Sequence, residues 1–418
     1  MRRPRAWIIL CISLLVAGYV VAGAVIAGKP HHHTPYRQMG VYAEVLEHIQ
    51  RDYVSPPNLR KVTNGALHGL LNSLDADSSY LSPSEYQQYE ATRAQPRQAG
   101  TLGLVVSKRG GYAYLVDVEP GSPAARAGLH RGDILETIAG QRARYLSLYE
   151  IRHLLSGAPG QAVTLRAVHL RRTQPQSLTL TFIARNPRPI LAQRLDGAIA
   201  YLRLPDLSPA RPAEFAARFR RLRARSVRGL ILDLRGCGSG SYAAAAALAN
   251  DFLRQGIMMR LAGRHFPEQI FRASPAQTLW PKIPVAVLVN AGTSGPAEAL
   301  AAALLQNHRA NLVGDKTFGE GAVQKLFPLP QGGALLLTVA QYEAPDGKPF
   351  ETTAVTPNIE QVRYPGALPD FDVPPLGVLP PRRDLQLNRA LELLHAAPLA
   401  KSLSLMAEIK QPGHAGKP

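Results

Sequence analysis

Four groups of side chains in this sequence have the types that chemistry uses. Ser294 stands in the run Thr293-Ser294-Gly295-Pro296-Ala297-Glu298, and Lys316 and Lys325 bracket Thr317-Phe318-Gly319-Glu320 and Gly321-Ala322-Val323-Gln324. A serine can attack a carbonyl when a neutral, desolvated lysine takes its proton, so these are residue types that a nucleophile and its base could use. Glu298 and Glu320 are the residue types of a carboxylate acid/base pair, although nothing in their spacing sets a separation. Cys237 reads as a small buried thiol, and with Cys11 as the other cysteine no disulfide framework follows. His31, His32 and His33 are adjacent in a Pro-flanked stretch and cannot converge as spaced ligands do, so they read as linker. No metal and no cofactor is expected.

The elements around these residues change character along the chain. After Pro187 and Pro189, strand-like AIAYLRL, GLILDLRG and PVAVLVN alternate with helices around Ala213 to Ala224, from Ala243 and from Glu298, which is an α/β pattern. Between Thr101 and Arg185 the runs LGLVV, AYLVDV, DILETIAG, AVTLRAVHL and SLTLTFIA make a small β-rich module with one helix in LSLYEIRHLLSG. From Tyr36 to about Glu90, helical spacing in MGVYAEVLEHIQRDYV and VTNGALHGLLNSL predicts a helical subdomain, broken at Pro56-Pro57 and followed by the capped loop Leu74–Leu81. Trp7 to Gly28 carries no charge and follows Arg2, Arg3 and Arg5, so it reads as a signal anchor with the arginines cytoplasmic, or, cleaved near Ala22-Gly23-Ala24, as a signal peptide. Either reading exports the rest of the chain.

With 418 residues, 46% of them hydrophobic, the chain can bury two or three domain cores and is not disordered throughout. The formal net charge of +18 comes from scattered arginines without interleaved aromatics, and no nucleic-acid motif accompanies it, so nucleic acid is not an expected partner.

Pro120-Gly121-Ser122-Pro123-Ala124-Ala125-Arg126-Ala127-Gly128-Leu129 and Gly132-Asp133-Ile134-Leu135, continued by Gly157-Ala158-Pro159-Gly160 and a V-x-L strand, resemble the PDZ signature of bacterial proteases. The resemblance implies capture of an extended chain end by strand addition, with backbone N–H groups holding the carboxylate. Leu102-Gly103-Leu104 would form the carboxylate loop, and Ile151, Leu154 and Leu155 would line the pocket for the last side chain.

Leu232-Asp233-Leu234-Arg235, Val287-Leu288-Val289-Asn290, Val313-Gly314 with Thr317-Phe318-Gly319, and Gly321-Ala322-Val323-Gln324 resemble, in order and spacing, the S41 carboxyl-terminal processing (tail-specific) proteases. That resemblance implies a serine nucleophile after the VLVN strand, a lysine base in the T-F-G-K-G turn and a glutamine four residues later that orients the lysine. The nucleophile position falls on Gly295 and the base on Glu320, 25 residues apart as the family spacing requires. Both partners are absent, and Gln324 alone is retained. Pro296 follows the nucleophile position and has no N–H to give an oxyanion hole. The second donor is implied in the glycine pair after L-D-L-R, where Ser239 and Gly240 now stand. Ser294, one residue upstream, is the alternative nucleophile, but a misplacement of about 1 Å already costs about 10²-fold.

The resulting expectation is an α+β chain: a signal anchor or signal peptide over 1–30, helical subdomain over 36–95, PDZ domain over 98–188, α/β S41 core of the ClpP/crotonase kind over 190–395, and a tail over 396–418. Its expected function is an envelope-located pseudoprotease that binds C-terminal peptides or unfolded exported proteins and pairs with an active paralogous protease. The alternative is an active serine endopeptidase using Ser294.

Overall fold

The computed structural model describes residues 35–94, 100–169, 174–186, 188–195, 198–224, 226–361 and 384–396. The expected membrane segment, the histidine tract and the tail beyond 396 lie outside these residues. Among the described residues no helix is long and apolar enough to cross a membrane.

The chain divides into two compact units, Met1–Gly65 and Ala66–Pro418. The first contains α1 (Pro35–Asp52) and the start of α2 (Leu59–Asn72). Asn58 begins α2 by accepting the Lys61 N–H at 3.0 Å, which satisfies one of the free donors at the helix end.

In the second unit, β1 (Ser79–Leu81) and α3 (Pro83–Ala94) precede the β-rich module. That module runs β2 (Leu104–Arg109), β3 (Tyr112–Val118), α4 (Pro123–Arg126), β4 (Ile134–Ile138), β5 (Gln141–Arg142), α5 (Leu148–Leu154), β6 (Ala162–Val168) and β7 (Gln176–Thr181). Its antiparallel sheet has the order β2-β3-β4-β6-β7, with β5 beside β4, so β2 is an edge strand. Ser122 caps α4, and Ser147 with Glu150 forms a capping box on α5, which fixes where both helices start. Gly103 holds φ +75°, and a Cβ there would lie 2.1 Å from that of Ser122. Only glycine permits this crossing of the two loops.

After residue 190 come β8 (Leu191–Leu195), β9 (Ile199–Arg203), α6 (Arg211–Arg223), β10 (Gly229–Asp233), α7 (Tyr242–Asn250), β11 (Ile257–Gly263), β12 (Phe266–Arg272), β13 (Val285–Val289), α8 (Pro296–Gln306), β14 (Asn311–Gly314), β15 (Ala322–Pro328), β16 (Ala334–Glu343), α9 (Phe350–Thr353) and β17 (Ile359–Glu360), then a helix over 385–396. One sheet has the order β17-β14-β13-β10-β9-β8, parallel except where β8 meets β9. β10 and β13 are buried along their whole length, which explains their uninterrupted apolar runs.

A third sheet, absent from the sequence reading, joins β1, β16, β11 and β12, with β15 also on β16. Most of β12 and β15 is exposed or half-buried and the pairing contains bulges, so neither strand shows clean apolar alternation. This sheet carries Gln324 to the candidate site.

Arg235 is buried and holds the end of β10 to the last helix. It donates to Asp233 at 2.7 Å, to Asp384 at 3.0 Å and to Gln386 at 2.9 Å, while Tyr201 donates to Asp233 at 2.6 Å. The L-D-L-R stretch is therefore an anchor for the chain's end as well as a strand terminus.

Candidate functional site

Three loops converge at the C-terminal ends of the parallel strands, where open α/β sheets place their ligands. Asn290, just after β13, accepts N–H bonds from Gly236 at 3.1 Å and Gly292 at 3.0 Å. The Thr293 hydroxyl donates to Leu234 at 2.9 Å, and the Phe318 N–H donates to the Thr293 carbonyl at 3.0 Å. The loops after β10, β13 and β14 are thus fastened to one another by the Asn290 and Thr293 side chains and by backbone bonds.

Gly295 caps α8 with φ 56° and ψ −118°, a conformation strained for any residue with a Cβ. Space is not the obstacle. A Cβ built there would lie 3.6 Å from the Tyr242 hydroxyl and 4.0 Å from the Glu320 carbonyl oxygen.

Glu298 fixes this geometry. Its buried Oε2 accepts the N–H of Gly295 at 2.9 Å and of Glu320 at 2.8 Å, while Oε1 accepts Gly319 N–H at 2.8 Å and the Thr317 hydroxyl. One carboxylate oxygen therefore joins positions 295 and 320, onto which the family resemblance places nucleophile and base. Burial pushes this carboxyl up to about 7, against four donors that each favour the anion. The Glu298→Gln variant turns an NH2 group toward two of those donors, and the expected loss is about 2 kcal/mol or more in a urea titration.

Glu320 does not face position 295 as a base. Its carboxylate meets Arg152 Nη2 at 3.3 Å, and Nη1 of the same guanidinium meets Asp77 at 3.4 Å. Gln324 donates to the Asp77 carbonyl, so the retained glutamine is tied to the capped loop before β1. Burial raises the Asp77 carboxyl to about 6, opposed by Arg152 and reinforced by Glu320. Arg152, Asp77 and Tyr242 were not legible as site residues. Arg152 reaches Glu320 across 168 residues of sequence, and the Asp77 stretch carries only a turn signal.

Ser294 is fully buried, and its hydroxyl donates to Gly238 at 3.4 Å. It points into the loop after β10 and is closed to a substrate in this conformation. Pro296 occupies the first turn of α8 and offers no N–H. Ser239 and Gly240 are exposed and pair with Leu207, whose N–H donates to Ser239 at 2.8 Å. Cys237 is buried and its thiol is pushed up by burial, which makes it inert.

The β-rich module packs directly on these loops. Asp117 of β3 is half-buried with its carboxylate 3.2 Å from a Cβ built on Gly236, and desolvation raises it to about 6 against the pull of Arg131, Arg203 and Arg188. Beside edge strand β2 and α5 lies a groove of about 710 Å³ lined by Leu102, Leu104, Val106, Leu155, Arg152 and Arg185. Among the residues expected to line the pocket, Ile151 is instead fully buried in the module's own core, Leu154 packs partly against that core, and Gly103 shapes the loop crossing described above. Leu155, the C-cap residue of α5, also packs partly against that core, and of the three it is the one that lines the groove.

Residues 198–361 match peptidase family S41 and residues 114–168 match a PDZ domain. The chain is 30% identical over 323 residues to the carboxyl-terminal-processing protease of Synechocystis, covering 76% of this chain and 75% of that protein. With the carboxy-terminal-processing protease of Bartonella bacilliformis it shares 28% identity over 352 residues, covering 82% and 80%. Among solved structures, the photosystem II D1 C-terminal processing protease superposes with a TM-score of 0.64 at 26% identity, over 77% of this chain and 86% of that one. Sequence, fold and the converging loops thus agree: this chain belongs to the carboxyl-terminal processing proteases of peptidase family S41 and carries their PDZ domain.

Proposed function

We propose that this family member binds peptide C termini or unfolded segments of exported proteins in its PDZ groove without cutting them. The observation that carries this reading is the state of the three loops. The nucleophile position is Gly295, the base position is a carboxylate held by Arg152, and the residue that would give the oxyanion N–H is Pro296. A carboxylate there cannot activate a nucleophile that has no oxygen. The uncharged stretch from Trp7 to Gly28 supports a membrane-anchored or exported protein, and an intact paralogous protease suits it as partner.

In the test, the full-length protein is exposed to a fluorophosphonate probe and to an unfolded protein substrate, and its binding of labelled peptides with apolar C termini is followed by fluorescence polarisation. The expected result is peptide binding with neither labelling nor cleavage. Leu155→Asp places a charge in the groove and is expected to weaken binding at least tenfold. Labelling that disappears in Ser294→Ala would overturn the non-catalytic reading, and equal affinity in Leu155→Asp would overturn the groove.

A further inference from the structure

A second cluster includes Glu150, two residues before Arg152 on α5. His68 on α2, Glu85 at the start of α3 and Glu150 at the start of α5 each present one metal-ligating atom, and the three atoms lie within 4.8 Å of one another. His68 Nδ1 is 4.0 Å from Glu150 Oε2, and both side chains are mostly buried, 16% and 18% exposed. Among the described residues, His68 Nδ1 is a buried nitrogen with no hydrogen-bond partner. The Glu85 and Glu150 carboxyl groups face each other across a gap within 4.8 Å, and two ionised carboxylates that close repel.

Each carboxylate also serves a helix cap through one oxygen: Glu85 Oε2 accepts the Ser82 N–H at 2.6 Å and Glu150 Oε2 the Ser147 N–H at 2.6 Å. Orphaned imidazole nitrogen and paired carboxylates are both relieved by one cation among them. Lys108 is the cationic group facing the cluster, and its ammonium is committed to the Leu146 carbonyl at 2.6 Å. The Tyr80 ring stands edge-on to His68 at 5.6 Å and walls one side.

We propose that His68, Glu85 and Glu150 form a divalent-cation site, best suited to Zn²⁺, which clips the PDZ helix α5 to α2 and α3. Zinc accepts mixed imidazole and carboxylate ligands with a fourth position left to water. A cation central to atoms this far apart sits within about 2.8 Å of all three, and side-chain movements well under an ångström bring it to the usual zinc distances of about 2.0–2.2 Å. No sequence spacing marks this site, because its ligands come from three separate elements.

The experiment uses the full-length chain in detergent, stripped with EDTA and dialysed against Zn²⁺ alone, in a background where His31, His32 and His33 are alanine. Metal content is read by mass spectrometry and stability by thermal unfolding. One Zn²⁺ per chain at micromolar free metal, with a raised unfolding midpoint, is expected. His68→Ala and Glu150→Gln should each weaken binding at least a hundredfold, whereas His130→Ala, which removes a ligand from the separate His130, Asp133 and His169 cluster, should leave it unchanged. His68→Ala breaks no helix cap, so it decides the matter even if Glu150→Gln folds poorly. Absence of zinc from the background protein, or zinc retained in His68→Ala, overturns the proposal. So does loss of zinc in His130→Ala.

Discussion

The variant carrying Gly295→Ser, Pro296→Ala and Glu320→Lys is expected to hydrolyse an unfolded protein substrate, and the unaltered chain is expected to release no product above background. The expectation rests on Glu298, whose Oε2 holds the backbone N–H groups of residues 295 and 320 at 2.9 and 2.8 Å and so preserves the spacing of the two positions. A serine Cβ meets nothing closer than 3.6 Å at position 295. Its φ of 56° imposes strain of about 1–3 kcal/mol, so the restored variant should also unfold at lower denaturant. Lysine at 320 loses the Arg152 contact and faces that guanidinium as a like charge, which favours the neutral amine that a base requires. Alanine at 296 returns an N–H to the oxyanion position, and one such donor is worth about 10²–10³ in rate. The pair Gly295→Ser and Glu320→Lys without Pro296→Ala should therefore be about 10²–10³ slower than the triple variant. A triple variant that is folded by circular dichroism yet silent would show that the loop containing Ser239 and Gly240 has also lost its catalytic shape.

Arg235→Met is expected to destabilise the second unit by about 3–5 kcal/mol, the cost of removing one partner from a buried ion network. The guanidinium is 1% exposed and serves Asp233 and Asp384 together, so its loss leaves two carboxylates in the interior without the cation they share. Because Asp384 begins the helix over 385–396, amide hydrogen exchange in that helix should be faster in the variant. Arg235→Lys keeps the charge but loses the fork that spans both acids, and its unfolding midpoint should fall between those of wild type and Arg235→Met. An unchanged midpoint in Arg235→Met would mean the network contributes nothing net.

Both predictions concern residues that the sequence marked for one reason and the fold uses for another. Leu232-Asp233-Leu234-Arg235 served as a marker of family, and its arginine proves to be the clasp for Asp384 and Gln386, 149 and 151 positions away. Glu298 read as a helix-start residue, which it is, but three of its four hydrogen-bond donors come from the turn around Thr317 to Glu320. The pocket leucines illustrate the converse. Apolar spacing identified α5 correctly, yet it could not say that Ile151 faces the module's core while Leu155 faces the groove.

What the sequence alone determined is the chemistry each position can and cannot supply. Glycine at 295 has no oxygen, proline at 296 has no N–H and glutamate at 320 is no amine base, whatever fold surrounds them. It also determined the uninterrupted apolar strands of the parallel sheet, because burial on both faces leaves its record in composition. The tertiary structure alone decided which distant groups meet. The Arg152 bridge to Glu320 and Asp77, the burial of Ser294 beneath Gly238, and the convergence of His68, Glu85 and Glu150 all depend on how separate elements pack. Side-chain type is a local property, whereas a contact between elements is set by the summed packing of everything between them, and no spacing rule in one sequence records that.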